Sequence, residues 1–374
     1  MKILITGGAG FIGTHLAREL LNESDEVTVL DNFSPQVHAE HNELPSDLKG
    51  AVKLVRGDVR DADLWPKVLP GHDAVVHLAA ETGTGQSMYE VSRYEQVNLA
   101  GTALLCEHLI KDPHDVERVV VASSRAIYGE GAYLCDKHGL VYPSSRTADE
   151  KTRGLFDPLC PVCGEDCKSV ATPESAPLQP SSFYGLTKQV QEQMALMFAE
   201  ALGISAFALR YQNVFGPGQS LNNPYTGILA IFSKLARAGR TLQVFEDGRE
   251  SRDFVYVRDV VLATKAGLRA QVKGSHSVNI GSGSRTTLLE LAEAVNDFYG
   301  QRSEIKITGA FRNGDIRHGL ADLSRAKGLL GYEPQTGFRE GLQNFLEWAR
   351  EGPGSLELYE RSLTEMREQG LLHG

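Results

Sequence analysis

Apolar residues in the first third of the chain come in short runs separated by amphipathic stretches. The runs KILIT (2–6), EVTVLD (26–31), VKLVRGD (52–58), DAVVHLAA (73–80) and RVVVASS (118–124) are rich in β-branched residues and predict buried strands. Between the first two, Ile12, Leu16 and Leu20 recur at helical spacing while Arg18, Glu19 and Asn22 fall on the other side. Strands alternating with helices predict an α/β fold, a doubly wound parallel sheet with right-handed crossovers. Further along, 184–202 predicts a helix and SAFALRY (205–211) a strand.

Residues 131–172 break this rhythm. The stretch is rich in Pro and Gly, holds four of the five cysteines, and predicts a loop-rich insertion rather than a domain. From about 215 the pattern shifts to loops and shorter elements that end in a charged helical tail (338–370). We therefore expect a cofactor domain over 1–214, carrying the insertion, and a smaller mixed α/β C-terminal substrate domain over 215–374. Residues 250–268 are expected to return to the first domain.

A chain of 374 residues with 41% hydrophobic and 23% charged residues can bury a substantial core. No apolar run approaches the roughly 20 residues that cross a bilayer, and MKILITGG does not continue as a signal peptide. The expectation is a cytoplasmic protein without a membrane partner. A net charge of −10 argues against nucleic acid as a partner, although a few local arginines suffice for a nucleotide.

The turn after the first strand reads ITGGAGFIG, with Gly7, Gly10 and Gly13 ahead of a helix that opens on Phe11 and Ile12. Close approach of a pyrophosphate excludes side chains, and a helix N-terminus offers free N–H groups to phosphate. This is a Rossmann-type cofactor turn. Asp31 ends the second strand, where a carboxylate bonds ribose hydroxyls and repels a 2′-phosphate, which favours NAD over NADP. Asn32 follows it. Asp58, with Val59, closes the third strand as an adenine-side residue or a helix cap. Leu78, Ala79 and Ala80 follow the fourth strand.

In SSFYGLTK, Tyr184 and Lys188 lie one helical turn apart, on one face. A lysine there, near a cationic nicotinamide, is expected to lower the tyrosine pKa from roughly 10 and make the phenolate a general base. Ser124 ends the fifth strand, where the carboxyl ends of parallel strands meet a ligand crevice. Glycine turn, Asp31, Ser124 and the Tyr184/Lys188 pair together resemble the extended short-chain dehydrogenase/reductase family. HLAA (77–80), Asn98 in VNLAGT, RYQNVFGPG (210–218), RDFVYVRDV (252–260) and RNGDIRHGLADLSRAKGLLGYEP (312–334) resemble its nucleotide-sugar branch. The likeness runs from residue 2 to about 345, apart from the insertion.

The resemblance implies roles. Tyr184 is the acid or base at the reacting sugar hydroxyl, Ser124 orients it, and Lys188 holds the nicotinamide ribose. Asn98 belongs with the cofactor residues. Asn213, Arg252 and Arg312 contact a nucleotide diphosphate, whose phosphates suit a guanidinium fork. Dehydratases and decarboxylases of this kind carry a carboxylate after the Ser or Thr of the fifth strand, whereas this chain reads Ser124-Arg125-Ala126. Arg125 instead counts as a substrate residue, and a 4-epimerase with tightly held, catalytic NAD fits better. The alternatives are a UDP-hexose or UDP-uronate 4-epimerase and a nucleotide-sugar 4-ketoreductase, while the presence of both Tyr184 and Lys188 disfavours a non-catalytic NAD-sensing protein. AAETGTGQSM (79–88), ALRYQNVFGPGQSLNNPYTG (208–227) and the Cys-rich insertion resemble bacterial dTDP-L-rhamnose 4-epimerases, with Thr82, Thr84 and Ser87 as sugar contacts or loop formers. The stretches around 93–110 and 184–202 resemble the helix pair through which members of this family form homodimers.

The insertion itself, with CDKH (135–138) and LCPVCGEDC (159–167), poses three readings: redox centre, disulfide or metal clamp. A reducing compartment disfavours the disulfide, and the loop-like context disfavours a redox motif. Cys135, His138, Cys160 and Cys163 form two pairs with the spacing of a structural zinc site, with Cys167 an alternative ligand or a spare. A segment with so little apolar content needs some cross-link to be ordered. Reduced, unliganded thiols are the other possibility.

Overall fold

The computed structural model describes residues 1–39, 42–221, 223, 227–352 and 355–374. Strands β1 (Lys2–Thr6), β2 (Glu26–Asp31), β3 (Lys53–Arg56), β4 (Ala74–His77), β5 (Arg118–Ser124), β6 (Ser205–Tyr211) and β7 (Ser275–Ile280) form one parallel sheet, in the order β7-β6-β5-β4-β1-β2-β3. Ile5 sits between Val29 and Val76 in register. Ile3, Leu4 and Ile5 are wholly buried because helices cover both faces of the sheet. On one face, α1 (Phe11–Asn22) presses Leu16 and Leu20 into the core. On the other, α2 (Gly101–Lys111) brings Leu105 and Leu109 against Leu4, Leu30 and Trp65.

The strand order reverses between β1 and β4, and their carboxyl ends open a crevice there. Helix α3 (Phe183–Leu202) lies over β5 and β6. It begins at Ser182, which accepts the Gly185 N–H at 3.1 Å, and ends at Gly203, whose φ of 69° needs no Cβ.

The second half of the chain comes back further than 250–268. Helix α4 (Val257–Arg269) packs on α1, and β7 extends the sheet beyond β6 with Ile280 opposite Tyr211. Helix Ser324–Leu330 adds Ala326 to the same core. A separate core holds Phe215, Phe232, Leu291, Val295 and Phe345. The tail is two helices, Phe338–Arg350 and Glu357–Glu368, and then a strand, Leu372–His373, paired with Phe311–Arg312.

The insertion is more ordered than its composition predicts. Tyr133–Cys135 pairs antiparallel with both Gly139–Val141 and Lys168–Ser169. Buried arginines tie it to the second half: Arg146 bonds Glu130 at 2.9 Å and Glu246 at 2.8 Å, and Arg317 bonds Asp157 at 2.8 Å and Asp247 at 2.6 Å. Among the described residues, no helix is long and apolar enough to cross a membrane.

Candidate functional site

The glycine turn closes on itself because side chains are missing. Gly7 has φ +67°, and a Cβ on it would meet the Ala79 backbone nitrogen at 2.8 Å; one on Gly13 would meet the Gly7 carbonyl oxygen at 2.6 Å. The Asp31 carboxylate accepts the Ala9 N–H at 3.0 Å and the Phe33 N–H at 2.8 Å, so it holds the turn from the side. Asp58 accepts from Asn32 Nδ2 at 2.8 Å and pairs with Arg60 at 2.8 Å. The Arg60 hydrogen bonds hold its carboxyl down to about 2 against the effect of burial. Gly7, Gly13, Asp31, Asn32, Asp58 and Arg60 line a single cavity of about 2110 Å³ together with Gly10, Phe11, Ile12, Val59, Leu78, Ala79 and Ala80. A volume beyond that of a single drug-sized pocket accommodates two ligands end to end. The bare glycine cradle and the carboxylate at the end of β2 fit a dinucleotide carrying a free 2′-hydroxyl.

Ser124 ends β5 in extended conformation and accepts the Ala126 N–H at 3.1 Å. A Cβ on Gly185 would lie 2.6 Å from the Ala126 carbonyl oxygen, so only glycine lets the start of α3 press onto the turn Arg125–Tyr128. That approach sets Tyr184 on the same cavity wall as Ser124. Burial pushes the Tyr184 pKa above the ordinary tyrosine value, opposed by the Ser124 hydrogen bond and the Arg125 charge. This departs from the expectation that Lys188 lowers it. Lys188 is buried, donates to Gln191 Oε1 at 2.5 Å, and burial holds its pKa down to about 7.

Thr82, Thr84, Ser124, Arg125, Tyr184, Lys188, Asn213, Arg252 and Arg312 all line the same cavity. Ser87 and Asn98 are not among its lining residues. Ser87 is wholly buried; it accepts the Tyr184 backbone N–H at 2.9 Å and donates to the Thr84 carbonyl at 2.6 Å. Asn98 accepts the Glu81 N–H at 2.8 Å and donates to Thr187 at 3.0 Å, which latches the loop after β4 to α3. Both side chains serve backbone and neighbours, and through them the position of Tyr184.

At the far end Arg252 donates to the carbonyls of Ser251 at 2.9 Å and Arg317 at 3.1 Å. Arg312 pairs with Asp315 at 2.9 Å above the Phe245 ring. Burial pushes the Glu250 carboxyl up to about 7, against the pull of Arg252. Gln212 Oε1, Asn213 Oδ1 and Gln219 Oε1 are buried acceptors without a partner among the described residues, a costly state unless something in the cavity donates to them. Sequence reasoning passed over the two glutamines, and also Arg93, whose guanidinium bonds Glu81 at 3.0 Å at the cavity edge. It also passed over Tyr359 and Met366, which the tail contributes to the lining. Amphipathicity in that tail was the one available signal.

The cysteine cluster stands apart from this cavity. Cys135 Sγ lies 3.6 Å from His138 Nδ1 and 3.8 Å from Cys163 Sγ, and Cys160 Sγ lies 3.6 Å from the same nitrogen. The ligand atoms of Cys135, His138, Cys160 and Cys163 all fall within 4.8 Å of one another. Zinc bonds of about 2.3 Å to sulfur and 2.0–2.1 Å to nitrogen in a tetrahedron put sulfurs about 3.8 Å apart and sulfur and nitrogen about 3.6 Å apart. A disulfide requires about 2.05 Å. Cys167 turns away and donates to the Pro158 carbonyl at 3.1 Å.

The pattern of the NAD dependent epimerase/dehydratase family matches residues 3–147 and 160–281, and its gap falls inside the insertion. A dTDP-L-rhamnose 4-epimerase from Burkholderia thailandensis is 39% identical over 93% of this chain and 94% of its own length. Among solved structures, the UDP-glucose 4-epimerase of Thermotoga maritima with UDP-glucose superposes with a TM-score of 0.75 at 30% identity, covering 94% of this chain and 99% of that one. The UDP-glucuronic acid 4-epimerase of Bacillus cereus, in complex with UDP-glucuronic acid and NAD, gives 0.73 at 25% identity with the same coverage.

Proposed function

This chain belongs to the NAD dependent epimerase/dehydratase family and is an NAD-dependent nucleotide-sugar 4-epimerase, an isomerase, and we propose that it interconverts dTDP-L-rhamnose and dTDP-6-deoxy-L-talose. The observation that carries the reaction type is that Ser124, Tyr184 and Lys188 line one cavity with the glycine turn, with Arg125 where a dehydratase would hold a carboxylate. The 39% identity with the Burkholderia enzyme supports the sugar.

In this reading, Gly7, Gly10, Gly13 and Asp31 hold the cofactor, and Arg252, Arg312 and Asn213 hold the nucleotide diphosphate at the other end. The sugar ring then lies at Tyr184, whose oxygen takes the proton of the C4 hydroxyl and later returns one. Ser124 keeps that oxygen in line. Bound NAD supplies the hydride acceptor and donor at C4, so net redox is zero. Thr82 and Thr84 face the ring. Residues 1–214 serve the cofactor and 215–374 the nucleotide sugar. We also propose a structural zinc on Cys135, His138, Cys160 and Cys163, a homodimer, and a reducing cytoplasm that keeps those thiols available to metal.

The test is proton NMR of the purified protein in D2O with dTDP-, UDP- and GDP-sugars, without added cofactor. A C4-inverted product free of deuterium, formed from dTDP-L-rhamnose, is the expected result. Inversion of a UDP-sugar alone would replace the proposed substrate. Conversion only on adding stoichiometric reduced cofactor would make the protein a ketoreductase.

A further inference from the structure

We propose that Arg93 and Gln36 are positioning residues that clasp the loops on either side of the glycine turn and so set how fast NAD enters and leaves. The proposal rests on NAD lying on that turn. In the sheet β1 stands between β2 and β4, so the loops that follow β2 and β4 flank the turn that follows β1. Both loops touch the turn. The Asp31 carboxylate at the end of β2 accepts the Ala9 N–H at 3.0 Å, and beyond β4 the Ala79 nitrogen lies 2.8 Å from where a Cβ on Gly7 would stand.

Farther out, the two loops are bonded to each other. Gln36, in the short helix Pro35–His38, exchanges amide hydrogen bonds with Gln86 at 2.8 and 3.0 Å. Its Oε1 also accepts from Arg93 Nη1 at 2.8 Å. Arg93 in turn bonds Glu81, two residues past Ala79, at 3.0 Å and Glu90 at 3.0 Å. These contacts close a circuit. It runs from the glycine turn through Asp31 to Gln36, across to Arg93, and back through Glu81 and Ala79. Gly7, Ala9, Asp31 and Gln36 on one arm, and Arg93, Glu81 and Ala79 on the other, all line the cavity, so the circuit frames its cofactor end.

An ordinary surface ion pair would contribute little here, but both arms of the clasp are fixed. On the β4 side Gln86 is wholly buried, and its amide also meets Glu90 at 3.1 Å and the Tyr94 hydroxyl at 3.3 Å. The same hydroxyl donates to the Thr82 carbonyl at 2.7 Å. On the β2 side His38 Nε2 lies 3.5 Å from the Asp31 carboxylate, and its ring 5.1 Å from that of Phe33, so the helix carrying Gln36 folds back over the end of β2. Neither helix nor strand geometry enforces the Gln36–Arg93 contact, which joins residues 57 apart in the chain. Parting the loops therefore requires breaking a charged hydrogen bond and an amide pair at once.

The experiment measures exchange of isotope-labelled NAD on the purified protein under a chase of unlabelled NAD, and NAD association by stopped-flow quenching of protein fluorescence, with no sugar present. Arg93→Met and Gln36→Leu are each expected to speed release at least about tenfold. Association is expected to rise with it, because a clasp gates entry and exit alike. The double variant is expected to be no faster than Gln36→Leu alone, since both changes open the same contact. Cooperative melting under saturating NAD verifies folding, and Gln36→Leu, at a half-buried position, carries the test if Arg93→Met does not fold. Release at the unmodified rate in the single variants overturns the clasp, as does a double variant in which the two effects multiply. Faster release with unchanged association also overturns it, by making Arg93 a direct cofactor contact. An unmodified protein that binds no NAD removes the cofactor and the clasp together, whereas failure to convert a given sugar touches neither.

Discussion

At the scale of residues, the site is built against the stability of the fold, and Lys188 shows it. A lysine that titrates near 7 when folded and near 10.5 when unfolded is charged in the buried cleft below about 7, at the expense of stability. Above 7 it loses its proton while the unfolded chain keeps one until about 10.5, so that expense fades as pH rises. Lys188→Met is therefore expected to abolish turnover and yet to melt higher, relative to the unmodified cofactor-free protein, at pH 6 than at pH 9. Calorimetry at the two pH values checks this; a difference independent of pH, or larger at pH 9, would refute it. The same side chain shows what a sequence can tell. Tyr184 and Lys188 are legible because the chemistry fixes both residue types and their helical spacing. Ser87 and Asn98 are less legible because a polar side chain near a site can serve a ligand or a backbone N–H, and spacing does not distinguish the two.

At the scale of elements, legibility follows length and repetition. The bounds of β1, β2, β5 and β6 coincide with apolar runs in the sequence because strands buried on both faces are nearly all apolar. The strands of the insertion are two or three residues long and offer no period to read. The apolar cluster beneath them is only Tyr133, Cys135, Val141 and Cys160, with Cys167 at its edge. Two of its four buried members are proposed metal ligands, so order here depends on the metal more than on burial. Mass spectrometry under native conditions is expected to find about one zinc per chain. Chelation, or Cys163→Ser, is expected to raise the rate of proteolysis between 155 and 167 at least about tenfold, which corresponds to roughly 1.4 kcal/mol of local stability. A metal-free protein with the same resistance to protease would eliminate the site. The Arg146–Glu246 and Asp157–Arg317 pairs anchor the chain ahead of the Cys160–Cys163 turn to the rest of the fold, so its loosening should remain local.

At the scale of the molecule, the exposed apolar side chains are not spread evenly. Val91 and Ile110 lie 45% and 52% exposed on the stretch that leads into and through α2, and Leu186 and Met197 lie 42% and 58% exposed on α3. These helices pack on each other, so the four residues belong to neighbouring elements of one side of the sheet. Large apolar groups concentrated on neighbouring elements mark an association surface more often than single ones do. A net charge of −10 would oppose non-specific clustering while leaving a matched apolar contact intact. A two-fold pairing of this surface buries the same residues on both copies. Light scattering at micromolar concentration is thus expected to give about twice the 40.8 kDa chain mass. The double variant Ile110→Glu, Met197→Glu is expected to run as a monomer, because each charge would have to leave water at the contact. That monomer should retain NAD, since no residue of the cavity lining comes from these positions. A wild-type protein at the monomer mass, or a double variant that stays dimeric, would place the contact elsewhere or remove it. Tyr184 stands at the head of α3, four residues before Lys188 and two before exposed Leu186, so a loss of turnover on dissociation with NAD still bound would show that the helix pair steadies the base through the partner copy.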